Sequence, residues 1–211
     1  MKPHRLARKF FDRPTRQVAK DLLGKFLLRQ IGKRKTTVMI TEAEAYCGPD
    51  DLASHASRGR TTRTEVMFGP PGHAYIYLIY GMYHCLNIVA ERDGYPAAVL
   101  IRGAITNIKS KNGTIILPRS CGFDSKNLGG PGRLCRHLDI DRQLNRENLI
   151  SSKRLWLEDR GVKIKPSQIK RAKRIGVDYA GKYKDKPWRF VLVLDENGKG
   201  NNKKTGGLGS G

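Results

Sequence analysis

The chain has 211 residues, 38% of them hydrophobic, which suits one folded domain followed by a short tail. Its 41 Lys and Arg residues against 19 Asp and Glu residues give a net charge of +22. A positive field of this size attracts a polyanion and gives salt-dependent binding. Nucleic acid is the leading partner on these grounds, and an anionic membrane surface is the alternative.

The sequence lacks the signals of several other protein classes. No stretch is long and apolar enough to suggest a membrane span, and no apolar signal-peptide core follows the basic N-terminus. The four cysteines are scattered without a C-x-x-C pair, which argues against a zinc site or an iron–sulfur cluster of the usual kind. An even count permits disulfides, but free thiols in the cytosol or nucleus are the simpler interpretation.

The first third of the chain predicts one helix, one hairpin and a long loop. Pro14 and Thr15 can start a helix whose apolar residues share a face. Residues 25–31 and 36–46 then indicate two antiparallel strands. The polar segment 47–72 is long for a structureless connection, and long ordered loops of this kind are usually functional.

The remainder alternates strands with short helices. Residues 73–90, interrupted by Gly81, and residues 95–105 predict three further strands. Residues 106–127 indicate a mobile insertion. A helix after Gly132, a strand at 156–158, a basic helix at 166–174 and a strand at 188–194 follow in that order.

Hairpins without a βαβ rhythm predict an α+β fold. We expect a single catalytic domain over residues 1–194, with a mostly antiparallel curved β-sheet, a protruding β-hairpin and peripheral helices. Residues 195–211 are rich in Gly, Asn and Lys, so we expect a disordered basic tail.

Two glutamates follow aliphatic residues in the second strand. Regular alternation would place Val38, Ile40, Glu42 and Glu44 on one face. A carboxylate on a core face is costly unless it has a partner or a task, such as activating a water in a partly desolvated pocket. The alternatives are a strand end exposed to solvent, or an ion pair with Arg58 or Arg102.

Tyrosines crowd into residues 75–83, where they could stack on an unpaired base or fill the gap that it leaves. Tyrosine is also a good strand former, so the pattern alone does not decide. His55, in the long loop, could donate to a base or be merely exposed. The Gly-rich run 129–133 could hold a phosphate, but it is not a Walker motif, and no G-x-G-x-x-G follows a strand.

Taken together, these segments resemble the 3-methyladenine (alkyladenine) DNA glycosylase family. The shared blocks run in order from about residue 10 to residue 194. They include T-E-A-E-A-Y-x-G-P-D at 41–50, S-H-A at 54–56, R-T-E-V-M-F at 63–68, V-L-I-R at 99–102, G-P-G-R-L-C at 130–135 and R-I-G-V at 174–177.

The resemblance implies a monofunctional glycosylase that cuts the N-glycosidic bond of damaged purines in double-stranded DNA. Glu44 matches the family's general base, and Arg102 matches an arginine near the catalytic water. The family works without a metal or other cofactor, and we expect a monomer that does not bind membranes. The location would be cytoplasmic and nucleoid-associated in a bacterium, or nuclear in a eukaryote. A lysine-dependent lyase is less favoured than simple hydrolysis.

Further roles follow from the same resemblance. Tyr46, His55 and Tyr77 match the side chains that stack on and orient the flipped purine, and His55 would also hydrogen-bond to it. Asn87 matches a pocket-wall residue that excludes normal guanine, and Tyr80 matches the residue inserted where the base left the stack. The candidates for contact with the DNA backbone are Arg58, Arg60, Arg63, Arg133 and Arg174.

A non-catalytic RNA- or DNA-binding protein remains the competing hypothesis, with the tyrosines as a stacking platform. The position of Glu44 distinguishes the two. An exposed Glu44 far from Tyr46, His55 and Tyr77 would favour simple binding, whereas convergence of the four on one pocket would favour the glycosylase.

Overall fold

The structure is a computed structural model that describes residues 2–106, 109–111, 114–116 and 127–194. The insertion predicted at 106–127 lies largely outside these residues, and the tail predicted at 195–211 lies wholly outside them. The boundary predicted at residue 194 therefore stays a prediction.

A ten-stranded sheet forms the framework, and its main path runs β1-β10-β2-β3-β6-β5-β4. The pair β11–β12 joins through β12 to β3, β9 joins β6, and β7 and β8 form a separate pair. Neighbouring strands are antiparallel throughout the described residues. The strands are β1 (His4–Arg5), β2 (Phe26–Ile31), β3 (Arg34–Tyr46), β4 (Ala74–Ile79), β5 (Tyr83–Ala90), β6 (Ala97–Ile105), β7 (Lys109–Lys111), β8 (Thr114–Ile116), β9 (Asn127–Gly129), β10 (Leu155–Asp159), β11 (Ile169–Ala172) and β12 (Arg189–Leu192).

Within the described residues, three short α-helices accompany the sheet: α1 (Arg8–Phe11), α2 (Thr15–Asp21) and α3 (Pro131–His137). Helix α2 packs on β3 and β6, and α3 packs on β5, β6 and β9. Their buried side chains join the aliphatic residues of the strands in the main core. This antiparallel sheet with a few helices confirms the predicted α+β class.

Alternation along β4, β5 and β6 separates the core from a cleft on the opposite face of the sheet. Ile76, Leu86 and Ile101 enter the main core. Their sequence neighbours Tyr77 and Cys85 line the cleft, as do Tyr75, Asn87, Leu100 and Arg102. Because successive side chains of a strand point to opposite faces, the apolar core and the polar cleft are built by the same three strands.

A local irregularity in β3 overturns one prediction from the sequence. The pairing of β3 with β6 shifts register on both sides of Glu42. Ala43 and Ala45 therefore join Val38 and Ile40 in the core, and Glu42 and Glu44 turn towards Arg102. A one-residue shift in a strand moves every following side chain to the other face. The prediction that both glutamates share a face with Val38 and Ile40 is wrong.

The basic helix predicted over residues 166–174 is also wrong. One 3-10 turn, Pro166–Gln168, leads directly into strand β11. Ile169 of β11 pairs with Leu192 of β12, so hydrogen bonding to a neighbouring strand decides the conformation of this charged segment.

Candidate active site

The cleft has a volume of about 1080 Å³ and brings together residues that are far apart in the sequence. Its walls come from β4, β5 and β6, from the 47–72 loop, from the start of α3 and from the segment after β11. The candidate residues on its walls are Tyr46, His55, Arg63, Tyr77, Tyr80, Asn87, Arg102 and Arg133.

Glu44 lies immediately behind this wall and is fully buried. One carboxylate oxygen accepts a hydrogen bond from the Tyr46 hydroxyl at 2.9 Å, and the other accepts the backbone N–H of Ile175 at 3.0 Å. The Arg102 Nε atom lies 3.5 Å from the second oxygen. All three neighbours line the cleft, so the carboxylate is one side chain away from it.

The surroundings of Glu44 act on its pKa in opposite directions. Burial raises the pKa above its ordinary value, while Arg102, the Ile175 N–H and the Tyr46 hydroxyl favour the ionised form. Burial and the adjacent carboxylate raise the pKa of Tyr46 well above its usual range. Tyr46 is therefore a neutral donor to Glu44, and a raised carboxyl pKa is typical of acid–base catalysts.

Glu42 and Arg102 complete a charged network beside Glu44. The Arg102 Nε atom donates to Glu42 at 3.1 Å, and Arg189 of β12 donates to the same Glu42 oxygen at 3.0 Å. Of the alternatives for the two glutamates, exposure to solvent does not apply to Glu44. The ion pair with Arg102 is observed, and it coexists with the location beside the cleft.

His55 lies among aromatic rings and arginines. Its Nδ1 atom is 2.8 Å from the Tyr75 hydroxyl, and its ring meets Tyr77 edge-on at 4.7 Å. The Arg63 guanidinium lies 4.9 Å from the centre of the Tyr77 ring. Burial, followed by the charges of Arg63 and Arg58, lowers the pKa of His55 to about 4. When Nδ1 of the neutral ring accepts the hydrogen bond from the Tyr75 hydroxyl, the ring proton is on Nε2, and Nε2–H is available as a donor.

Asn87 forms part of the cleft wall with a fixed side chain. It is buried, and its amide nitrogen donates to the carbonyl oxygens of Tyr75 at 3.2 Å and Cys85 at 3.4 Å. These two bonds orient the amide, so the wall at this point is rigid and polar.

The turn between β4 and β5 carries Tyr80 at its tip. Tyr80 is 81% exposed and has a φ of 53°, in the left-handed region that bulky residues rarely adopt, and Gly81 follows with a φ of 69°. The predicted hairpin is thus present and presents an exposed tyrosine at the edge of the cleft. An uncommon backbone conformation that holds an aromatic ring in solvent indicates a functional role.

The five arginines predicted to contact the DNA backbone do not behave alike. Arg58, Arg60, Arg63 and Arg133 are exposed, although Arg60 pairs with Glu65 at 2.7 Å. Arg174 is buried, so its prediction as a surface contact is wrong.

Arg174 is part of a buried ion pair instead. Its Nη2 donates to Asp51 at 2.8 Å and its Nη1 to the Ala45 carbonyl at 2.9 Å. Burial alone would lower the pKa of Arg174, but the bonds and charge of Asp51 raise it. The guanidinium lies 4.8 Å from the centre of the Tyr46 ring, which itself donates to Glu44. Arg174 therefore packs against the ring of Tyr46, which lines the cleft.

Comparison with known proteins agrees with this geometry. A profile of the methylpurine-DNA glycosylase family matches residues 9–196. The chain belongs to the methylpurine-DNA glycosylase family.

Relatives of this DNA glycosylase occur in archaea and bacteria. A protein of Methanocella arvoryzae is 50% identical over 185 residues, which cover 88% of this chain and 90% of the relative. One of Rickettsia typhi is 43% identical, with 91% of this chain and 94% of the relative covered. One of Anaeromyxobacter sp. is 44% identical, with 89% of each chain covered. All three carry the provisional name of 3-methyladenine DNA glycosylase.

Other features of the glycosylase concern cysteines, metals and membranes. The described cysteines, Cys47, Cys85 and Cys135, are free thiols. Across the part of the chain that the structure describes, no group of three or more His, Cys, Asp or Glu side chains could hold a metal ion. No described helix is long and apolar enough to cross a membrane.

Sequence reasoning missed two components of the site. Asp51 stands in a polar Gly-Pro-Asp-Asp run that reads as a surface turn, yet it is fully buried against Arg174. Ile175 is remote from Glu44 in the sequence, yet its N–H binds the carboxylate. No local signal reports either contact, because the segment after β11 packs against the 47–72 loop in the first case and against β3 in the second.

Proposed function

We propose that this glycosylase flips an alkylated or deaminated purine out of duplex DNA and releases it by hydrolysis. Its substrates would be 3-methyladenine, 7-methylguanine, ethenoadenine and hypoxanthine. The protein would act as a monomer on chromosomal DNA, with residues 1–194 as the catalytic domain.

One observation carries this proposal: Tyr46, His55 and Tyr77 converge on the cleft, and a buried Glu44 lies directly behind it. A non-catalytic stacking platform has no need for a desolvated carboxylate, which is costly to bury. Placed beside the cleft and hydrogen-bonded to one of its rings, the carboxylate favours catalysis over binding alone.

The base would occupy the aromatic cleft. Tyr46 and Tyr77 would stack on the purine, while the Nε2–H of neutral His55 would donate a hydrogen bond to it. Asn87 would reject the exocyclic amine of normal guanine, and Tyr80 would fill the space that the base left in the duplex. Damaged purines stack less well and leave more readily, so both extrusion and release favour them.

The chemical step would be a simple hydrolysis. A carboxylate offers about four acceptor positions, so Glu44 can bind a water as well as Tyr46 and Ile175. The water oxygen bonds to the sugar C1′ while the N-glycosidic bond breaks and its electron pair leaves with the base. The charge of Glu44 stabilises the cationic character that develops at the sugar, and Glu44 takes one proton of the attacking water. A cationic lesion such as 3-methyladenine leaves as a neutral base, whereas an uncharged lesion such as hypoxanthine leaves as an anion that takes up a proton from solvent. The products are a free base and an abasic site in an intact backbone.

Single-turnover incubation with duplexes that carry one ethenoadenine, hypoxanthine, 3-methyladenine or 7-methylguanine tests the proposal. We expect release of the free base and strands that break only after alkali. Strand cleavage without alkali would indicate a lyase. Salt-sensitive binding without release from any lesion would support the non-catalytic alternative.

A further inference from the structure

Exposed large hydrophobic side chains gather at the mouth of the cleft. Tyr80 and Tyr83 belong to the β4–β5 hairpin, and Ile175 and Tyr179 belong to a separate segment, residues 175–179, here called the rim segment. All four line the cleft. Ile175 is 49% exposed and Tyr179 is 65% exposed. The proposed insertion of Tyr80 gives the hairpin a role, but nothing in the reaction described above uses the side chains of the rim segment.

Hydrogen bonds and one buried side chain fix the rim segment to the rest of the protein, while the side chains of Ile175 and Tyr179 face solvent. The backbone N–H of Ile175 donates to Glu44 at 3.0 Å, and the Tyr179 hydroxyl donates to the Ala53 carbonyl at 3.3 Å. Val177, between them, is buried against Ala53. A surface that is already ordered loses little conformational entropy on binding, and exposed apolar side chains beside a pocket mark an interaction site.

We propose that the rim segment forms a second apolar contact with DNA, in which Ile175 and Tyr179 pack on the strand that carries the flipped nucleotide. This inference rests on the proposed function. The rim segment and the hairpin border the same cleft, so a nucleotide held there has the hairpin on one part of its boundary and the rim segment on another. Ile175 and Tyr179 cover the sugar of that nucleotide and the base next to it.

The charges around the rim segment favour DNA over a protein partner. The rim segment itself contains the exposed Asp178, and Lys173 before it pairs with Asp185 at 2.6 Å, but Lys182 after it is exposed. The positive charge comes mainly from the cleft that the segment borders, which is lined by Arg63, Arg133 and Arg136. An apolar patch beside these cations complements a nucleotide, which presents a sugar and a base between phosphates. The patch is also continuous with the cleft proposed to hold the base.

The chain supplies matched controls for a test. Ile31 and Val193 are 37% and 44% exposed, and neither lines the cleft. The variants Ile175→Ser, Tyr179→Ser, Ile31→Ser and Val193→Ser are made in a Glu44→Gln background, which stops turnover. Fluorescence anisotropy then gives Kd for an ethenoadenine duplex and for the undamaged duplex over a range of salt concentrations.

For the ethenoadenine duplex, we expect Kd to rise about fivefold for Ile175→Ser, from the apolar surface lost, and roughly five- to tenfold for Tyr179→Ser, from the stacking lost. The slope of log Kd against log salt should stay unchanged, because no phosphate contact is removed. Tyr179→Phe should lose less affinity than Tyr179→Ser, since it keeps the ring and loses only the hydroxyl bond to Ala53, and the two control variants should keep the parental affinity.

Kd values within twofold of the parent for both rim variants would overturn the inference, as would an equal loss in the two control variants. A lower salt slope would assign the segment to phosphate contact instead, and would also overturn it. The Glu44→Gln parent, without further substitutions, tests the proposed function. If it binds damaged and undamaged duplexes equally, the proposed function fails, and the rim contact fails with it. A parent that prefers the lesion separates the two questions.

Discussion

His55 is held in its neutral form by its surroundings. An unfolded chain would protonate this imidazole near the ordinary histidine pKa of 6.5, whereas burial and two arginines lower the pKa to about 4 in the folded protein. The unfolded state therefore binds more protons between these values. The stabilisation from neutral His55 is fully present above about pH 6.5 and is lost as the pH falls towards 4.

Replacing His55 with Gln should flatten part of this pH dependence. Glutamine does not titrate and can still hydrogen-bond to the Tyr75 hydroxyl. We expect the melting temperature of the wild type to fall more steeply than that of His55→Gln between pH 6.5 and pH 4. Differential scanning calorimetry at half-unit pH steps measures the difference. Parallel curves would show that His55 titrates normally in the folded protein.

Arg174 and Asp51 form an ion pair without solvent contact, so the two charges depend on each other. Replacing Arg174 with Met would leave a buried carboxylate unpaired, at a cost of about 3–5 kcal/mol. For a chain of this size that corresponds to a melting temperature lower by roughly 10 °C.

Arg171→Met is the matched control for this prediction, because Arg171 is exposed on β11. It should stay within about 0.5 kcal/mol of the wild type. Similar melting temperatures for the two variants would contradict a stabilising role for the buried pair.

The β4–β5 hairpin holds Tyr80 in a strained conformation, and two substitutions separate the backbone from the side chain. Both Tyr80→Ala and Tyr80→Gly remove the ring and should weaken binding to a lesion duplex by about 1–3 kcal/mol. Only glycine also relieves the positive φ, so Tyr80→Gly should melt at or above the wild-type temperature. Equilibrium binding and thermal melting of both variants provide the test. Unchanged affinity in either variant would contradict insertion of the ring.

The elements that the sequence predicted correctly are those with local signals. Helix α2 begins at Thr15 after Pro14, and Gly81 marks the turn of the second hairpin. Residues 169–172 became a strand rather than a helix because pairing with β12 outweighs a charged segment without apolar periodicity. The register shift beside Glu42 could not be predicted from the sequence. Regular alternation was the only pattern that indicated which face of the strand each side chain occupies.

The same holds for the candidate site: residues in recognisable local motifs were predicted, and contacts between segments distant in the sequence were not. Resemblance to a family supplied Tyr46, His55, Tyr77 and Asn87, all of which line the cleft. Composition and spacing alone did not distinguish a functional role for these residues from an ordinary structural or surface role. Contacts between distant segments, such as Arg174 with Asp51, required the fold, because they depend on where the pairing of β12 with both β3 and β11 places the chain that follows β11.

The charge of the whole molecule predicts how it meets DNA. A net charge of +22 with arginines exposed near the cleft should give steep salt dependence, with a slope of log K against log salt of roughly −0.9 for each phosphate contacted. Arg58→Gln should reduce the magnitude of the slope by about one unit. Arg60→Gln should change it less, because Glu65 already neutralises this side chain. Titrations at several salt concentrations measure the slopes, and a flat response in the wild type would contradict electrostatic docking.

The central claim is that Glu44 activates the water, and its neighbour Glu42 is the natural control. Both glutamates lie near Arg102, but only Glu44 is fully buried and bonded to Tyr46 and Ile175. Because burial raises the pKa of Glu44, the uncharged Gln should fold at least as stably at neutral pH.

The measurement is single-turnover release of ethenoadenine by the wild type, Glu44→Gln and Glu42→Gln, with lesion-duplex affinity and melting temperature measured in parallel. We expect Glu44→Gln to lose release by about a thousandfold or more while it keeps its affinity and stability, and Glu42→Gln to lose no more than about tenfold. Release by Glu44→Gln at a rate near that of the wild type would contradict the claim. An equal loss of release and binding would reduce Glu44 to a residue that shapes the cleft.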